Sequence, residues 1–242
     1  METDGTEVVQ AQPGKPVNPG EPPRPTQQPV EQPVEQVPGV ERAREAKQAL
    51  RRRVRRSRAA RTGEQKRADE VSLTRRVLTH EAVRRASTIA VYASLPDEPG
   101  TGELRAALHR EGVRVLLPVV VEGEGPPTLD WALDTGPLAT TGVLELPEPT
   151  GERLGPDAVT QADVLLIPAL AVDTSGVRMG RGRGYYDVAL ARFRDLRPNA
   201  TVIALVHDDE LLDASTTPVP AEPHDRRVDA VITPRRSLSS RA

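Results

Sequence analysis

Five short apolar runs, at residues 88–93, 113–117, 163–168, 201–206 and 229–232, constrain the fold of this chain more than any other feature. Runs this brief and this continuously apolar read as strands buried on both faces. They alternate with helical patterns at 101–110 and 185–194. That alternation predicts an α/β fold of three layers, Rossmann-like, with a mostly parallel sheet and helices on both faces. The stretch 122–157, rich in Gly, Pro and Thr, reads as irregular structure with a short strand around 129–133. Ligands of such sheets sit beyond the carboxyl ends of the strands, in the loops that follow them.

Two further helices precede the first strand. Ala43, Ala46, Leu50 and Val54 form an apolar stripe on a helix over 41–61, otherwise largely Arg, and Gly63 separates it from a helix over 64–86. Residues 1–40 have a different composition, rich in Pro, Gln, Glu and Val, with the near-repeat Gln28-Pro29-Val30-Glu31 and Gln32-Pro33-Val34-Glu35. Pro fixes φ and removes donors and no apolar face develops, so this segment is expected to be disordered or polyproline II. The expected division is a tail over 1–40, one α/β domain over 41–236 and a flexible end over 237–242.

The absence of cysteine excludes disulfides, a zinc–thiolate site and a cysteine nucleophile. With 33 Lys and Arg against 35 Asp and Glu, bulk charge points to no polyanionic partner. The opening Met1-Glu2-Thr3-Asp4-Gly5 lacks the basic and apolar segments of a secretory signal. No apolar stretch reaches the roughly 20 residues of a membrane span. The expectation is a cytoplasmic monomer with small-molecule substrates, using neither membrane nor nucleic acid.

Between the third strand and the helix at 185–194 lies Gly176-Val177-Arg178-Met179-Gly180-Arg181-Gly182-Arg183-Gly184-Tyr185-Tyr186-Asp187. Alternating glycines bring backbone N–H groups close to a ligand, and the following helix N-terminus adds partial positive charge, which together suit an anion. Arg178, Arg181 and Arg183 add forked donors matched to phosphate oxygens. No Gly-Lys-[Ser/Thr] closes the loop as in a Walker A motif, and the spacing is not that of a dinucleotide fingerprint. A structural turn or an RNA-binding Gly/Arg segment are the other readings of such a stretch.

Pro168-Ala169-Leu170-Ala171-Val172-Asp173, followed by that Gly/Arg block, closely resembles the signature of the 5-formyltetrahydrofolate cyclo-ligases. Three further segments match in order: Lys47-x-x-Leu50-Arg51, Tyr92-x-Ser94-Leu95-Pro96-x-Glu98-x-x-Thr101, and Pro220-x-Glu222-x-His224-Asp225. The resemblance covers about residues 41–235 and implies ATP- and Mg²⁺-dependent ring closure of 5-formyltetrahydrofolate. It implies that Lys47, Arg51 and the stretch Arg178, Met179, Gly180, Arg181, Gly182, Arg183, Gly184, Tyr185 and Tyr186 bind ATP. Arg181 through Tyr185 also face the folate, with Arg181, Arg183 and Tyr185 as the catalytic set. Leu95, Glu98, Gly100 and Trp131 are its other expected substrate contacts, Gly100 standing where relatives carry a second acid. Asp187 and Asp225 are the expected Mg²⁺ ligands. Asp173 reads equally as part of the signature or as a turn former.

Two alternatives remain at this level: a phosphosugar isomerase or CoA-transferase relative on the same scaffold, and an Arg-rich nucleic-acid-binding module. Because residues 1–40 precede every matched segment, a chain starting near Glu41 should keep its ATP binding and turnover. Nucleotide titration of the truncated chain checks this, and lost ATP binding would show that the tail takes part.

Overall fold

The computed structural model describes residues 38–121, 123, 125–140, 146–221 and 225–240. Most of the expected N-terminal tail, residues 1–37, lies outside them, as do Glu222 and His224 of the third matched segment. The chain opens with three helices, α1 (Pro38–Ala59), α2 (Gly63–Thr79) and α3 (Glu81–Arg85), before β1 (Thr88–Val91). Helix α4 (Gly102–Arg110) leads to β2 (Arg114–Val121) and β3 (Thr128–Leu133), then to the two-residue strands β4 (Leu138–Ala139) and β5 (Glu148–Pro149). A 3-10 turn at Pro156–Gln161 precedes β6 (Val164–Pro168), β7 (Ala171–Asp173), β8 (Arg178–Met179) and α5 (Tyr185–Leu196). The order closes with β9 (Thr201–Leu205), β10 (Leu211–Leu212), β11 (Ala230–Ile232) and β12 (Ser237–Ser239).

The main sheet runs β12-β11-β9-β6-β1-β2-β3. Its five inner strands pair in parallel, and β3 and β12 are antiparallel edges. Both faces are covered, and the strands alternate between them: Ala90, Leu116, Leu165, Val202 and Val231 pack with α5, while Ile89, Val115, Leu166, Ile203 and Ile232 pack with α2, α3 and α4. The three-layer, mostly parallel α/β architecture is the expected one. Strands β6, β9 and β11 lie to one side of β1, and β2 to the other. Connections therefore diverge between β1 and β6, which opens a crevice at their carboxyl ends.

Four local differences have physical reasons. The first helix begins at Pro38, inside the segment expected to be tail. The helix expected over 64–86 breaks at His80, whose backbone is extended, while the Thr79 hydroxyl bonds back to the Arg76 carbonyl. Strand β2 runs four residues past the expected 113–117 because β3 pairs with it from Leu116 to Val121. Residues 237–239, expected to be a flexible end, pair antiparallel with β11 as strand β12. Ser-Leu-Ser offers too few apolar positions to betray an edge strand.

Helix α1 packs through Leu50 and Val54 on a second, three-stranded sheet, β10-β7-β8, together with Leu170, Val177 and Met179. Its docking is fixed by Arg58, whose side chain is 1% exposed. The Arg58 guanidinium donates to both oxygens of Glu210, at 2.6 and 2.8 Å, and to the Ala169 carbonyl at 2.7 Å. Glu210 is equally buried and also accepts the His207 N–H at 2.9 Å. Around this pair, Ser57 and Arg61 donate to Asp209, and Arg61 reaches Asp69. Burial, followed by the nearby Arg61 and Arg58 charges, holds the His207 imidazole at about 3, so it stays neutral.

Breaking a buried pair strands a charge, whereas replacing both partners by apolar groups does not. Arg58→Ala or Glu210→Ala should therefore each cost about 3–5 kcal/mol of stability. The double replacement Arg58→Met with Glu210→Leu should recover most of that loss. Urea unfolding of the four proteins is the measurement, and single variants as stable as the parent would show that the pair does not hold α1.

Candidate active site

The crevice between β1 and β6 is a cavity of about 350 Å³ with two unlike walls. On one side Pro118, Val120, Leu129, Leu146 and Pro147 present apolar surface around Glu148. The opposite side is the Gly/Arg block, contributing Arg178, Gly180 to Tyr186, and Asp187. The loop after β1 supplies Tyr92, Ala93, Leu95 and Glu98, and β6 ends in Pro168 to Leu170.

Short-range bonds shape both loops. After β1, the Thr101 hydroxyl donates to the Tyr92 carbonyl and the Tyr92 hydroxyl to the Pro99 carbonyl, each at 2.8 Å. The Glu98 carboxylate accepts the Leu95 N–H at 3.1 Å. After β6, β7 and β8 form a hairpin whose turn is organised by Asp173. One Asp173 oxygen accepts from the Ser175 N–H, the Ser175 hydroxyl and the Val177 N–H; the other accepts from the Val219 N–H. Asp173 is buried and structural, which settles its double reading. Gly176 is required in that turn, because its φ is +83° and a Cβ there would lie 2.7 Å from the Val228 carbonyl oxygen.

The three arginines differ in their partners. Arg178, 4% exposed, donates to Asp187, whose side chain is 38% exposed. Arg181 bridges to the loop after β1, donating to Glu98 at 3.0 Å and to Asp97 at 2.6 Å. Burial opposes the Arg181 charge, but Glu98 and Asp97 outweigh it and hold its pKa above the usual value. Arg183 is exposed and makes no hydrogen bond among the described residues. No side chain caps α5, so its first N–H groups remain available to an anion beside these cations. Burial, then the nearby Glu98 charge, pushes the phenols of Tyr92 and Tyr186 up, so both stay protonated.

Helix α1 backs this wall. Arg51 donates to the Gly180 carbonyl at 3.1 Å, and its guanidinium lies 3.5 Å from where a Cβ of Gly182 would be. Lys47, almost buried, pairs with Asp225 at 2.9 Å. Of the two expected metal ligands, Asp187 lines the cavity and takes Arg178, while Asp225 takes Lys47.

Six expected site residues do not line the cavity: Lys47, Arg51 and Asp225, whose contacts are given above, and Trp131, Met179 and Gly100. Trp131 is 1% exposed in the core that packs with α5; Leu129, two residues nearer the carboxyl edge on the same strand face, lines it instead. Met179 alternates with Arg178 on β8 and turns its side chain under α1, into the cluster with Val54 and Leu170. Gly100 faces α2, because a Cβ there would fall 2.5 Å from the Glu70 carboxyl carbon. Glu70 is in turn held by the Glu103 N–H at the start of α4. Sequence reasoning missed Glu148, Pro118 and Val120. The Pro-flanked acid in Leu146-Pro147-Glu148-Pro149 was the one available signal.

A crevice between diverging loops of a parallel sheet, walled by a glycine/arginine cradle and an apolar face, is the kind of site that α/β enzymes build at the carboxyl ends of their strands. The chain belongs to the 5-formyltetrahydrofolate cyclo-ligase family, whose sequence profile matches residues 43–234. It is 40% identical over 153 residues to a 5-formyltetrahydrofolate cyclo-ligase of Mycolicibacterium smegmatis, covering 62% of this chain and 75% of the relative. It is 29% identical over 183 residues to the Escherichia coli K12 protein of the same name, covering 76% and 97%. In fold it resembles 5,10-methenyltetrahydrofolate synthetase of Aquifex aeolicus, with a TM-score of 0.65, 22% identity and coverage of 81% and 93%. The Mycoplasma pneumoniae enzyme of that name gives a TM-score of 0.59 at 20% identity, covering 78% and 99%. Among the described residues no helix is long and apolar enough to cross a membrane.

An exposed, unpartnered Arg183 contributes little to folding. Arg183→Ala should leave the melting temperature nearly unchanged while lowering turnover by about 10²–10³, the usual loss for an electrostatic stabiliser. A melting curve beside steady-state kinetics checks both halves, and normal turnover would remove Arg183 from the site.

Proposed function

We propose that this chain cyclises 5-formyltetrahydrofolate to 5,10-methenyltetrahydrofolate, using ATP and Mg²⁺ and releasing ADP and phosphate. The observation that carries the reading is one cavity joining a cationic glycine cradle to an apolar wall. The formyl oxygen attacks the γ-phosphorus of ATP, and the bond to ADP breaks. The 10-nitrogen then attacks the activated formyl carbon and loses its proton; the carbon–oxygen bond breaks and phosphate leaves. The substrate supplies the nucleophile, so the protein needs no Ser, Cys or His for it. Its work is positioning and charge stabilisation.

Arg178, Arg181 and Arg183, with the backbone N–H groups from Gly182 to Tyr186, face the transferring phosphoryl group. Arg51 and Lys47 hold the cradle from α1. Leu95, Glu98 and the tyrosines Tyr185 and Tyr186 border the folate. Asp187 fits an Mg²⁺ site, with its half-exposed carboxylate on the cavity and only one oxygen engaged by Arg178. Asp225, beside Lys47, is the second carboxylate assigned to it. Bound there, the ion would neutralise charge on the nucleotide's phosphates.

Absorbance detection of methenyltetrahydrofolate with and without ATP and Mg²⁺ tests the activity. Product formation without ATP, or none at all, would overturn it. Salt-steep RNA or DNA binding without nucleotide binding would instead support a nucleic-acid module. For the metal, Asp187→Asn and Asp225→Asn should each raise the Mg²⁺ concentration giving half-maximal rate. The double variant should be little worse than the more damaging single one, since groups acting on one ion are non-additive. If the two acids served only their ion pairs, melting temperatures would fall and the Mg²⁺ midpoint would stay in place.

A further inference from the structure

Among the described residues three carboxylates line the cavity: Glu98, Glu148 and Asp187. Glu98 is engaged by Arg181, and Asp187 by Arg178. Glu148 alone faces no cation. It sits on β5 between Pro147 and Pro149, 7% exposed, in the wall formed by Pro118, Val120, Leu129 and Leu146. Its Oε1 accepts the Val120 N–H at 2.9 Å. That donor is available because β2 continues to Val121, past the end of its pairing with β1 at Leu116. The second oxygen, Oε2, has no partner among the described residues. A carboxylate kept in an apolar wall is unfavourable unless something supplies donors to it. The tether to Val120 meanwhile fixes the orientation of its plane.

Resting on the folate reading above, we propose that Glu148 is the specificity residue for the pterin ring, accepting hydrogen bonds from its 2-amino group and the adjacent N3–H. That pyrimidinone edge presents two parallel donors, which match the two oxygens of one carboxylate, and Oε1 can accept a second bond besides that of Val120. The apolar wall receives the ring faces. Anchoring the pyrimidine ring there directs the opposite edge, with the formylated N5 and the arm carrying N10, away from Glu148. The acid that Gly100 does not supply thus comes from a different loop.

The test compares 5-formyltetrahydrofolate with its 2-deamino analogue on the wild type and on Glu148→Gln. The amide oxygen of the variant can still accept from Val120, so its melting temperature and KM for ATP should not change. Its KM for 5-formyltetrahydrofolate should rise about 10- to 100-fold, the size of a lost charge-assisted hydrogen bond. The wild type should discriminate against the 2-deamino compound by a similar factor, and the variant should treat the two compounds nearly alike. An unchanged folate KM in the variant, or a wild type indifferent to the 2-amino group, overturns the assignment. The second comparison needs no variant, and a wild type indifferent to the 2-amino group overturns the assignment even if Glu148→Gln does not fold. A wild type without ATP-dependent cyclisation would overturn the parent reading itself, whereas an active wild type with an unaffected variant overturns only the role of Glu148.

Discussion

The buried pair between Arg58 and Glu210 anchors a helix that stands apart from the main sheet yet holds the Gly/Arg wall of the cavity in place. Through one guanidinium, α1 is tied to the exit of β9, via Glu210, and to the passage from β6 to β7, via the Ala169 carbonyl. The second of these leads into the β7–β8 hairpin that carries the Gly/Arg block. An apolar contact could slide by a turn with modest loss. A forked cation with three fixed acceptors cannot, because the shifted state buries it unpaired. Seven residues earlier on the same face, two helical turns away, Arg51 meets Gly180. Lys47, a further turn along, meets Asp225. The register of α1 set at Arg58 is thus transmitted to the site.

That arrangement explains why the sequence revealed some parts of the molecule and hid others. Two-sided burial makes the inner strands continuously apolar, so β1, β2, β6, β9 and β11 were visible as runs, and their alternation with helices implied the three layers. The inner face of α1 is another matter. It contains Lys47, Leu50, Arg51, Val54 and Arg58, so an apolar stripe read from the sequence includes Leu50 and Val54 and passes over Arg58. Arg58 was invisible because its partner lies 152 residues away. The role of His207-Asp208-Asp209-Glu210 is hidden from the sequence for the same reason. Asp209 and Glu210 are the receiving half of the α1 joint.

Within the site, the glycine spacing and the arginines were legible because their local chemistry is unusual. Side-chain direction was not. Met179 and Arg178 are adjacent, and only the strand alternation of β8 decides which one faces the cavity. Trp131 attracted attention as the single tryptophan, yet its place two residues deeper than Leu129 sends it to the core. Gly100 turned towards Glu70, a contact between helix and loop that no linear motif encodes. Glu148 required knowing that β2 outruns β1 and leaves the Val120 N–H without a strand partner.

The side chains of the cavity nearly balance in charge, which has a chemical consequence. A cradle of three bare arginines would repel itself in a partly buried site. Here Arg178 is held by Asp187, and Arg181 by Asp97 and Glu98, while Arg183 alone is unpaired and exposed. On the proposed reading, a nucleotide triphosphate meets Arg183 first and then competes with carboxylates for the other two. On the same reading, an Arg178 drawn to a phosphate oxygen would free the Asp187 carboxylate, the acid proposed to hold the divalent ion. Such an exchange would replace one charge-assisted contact by two, with Asp187 serving in both arrangements. Arg181 is shared with the loop that carries Leu95 and Glu98, so its exchange changes the border of the folate end as well. On the proposed reading, the two substrates would share the Arg181 guanidinium through its bonds to Asp97 and Glu98.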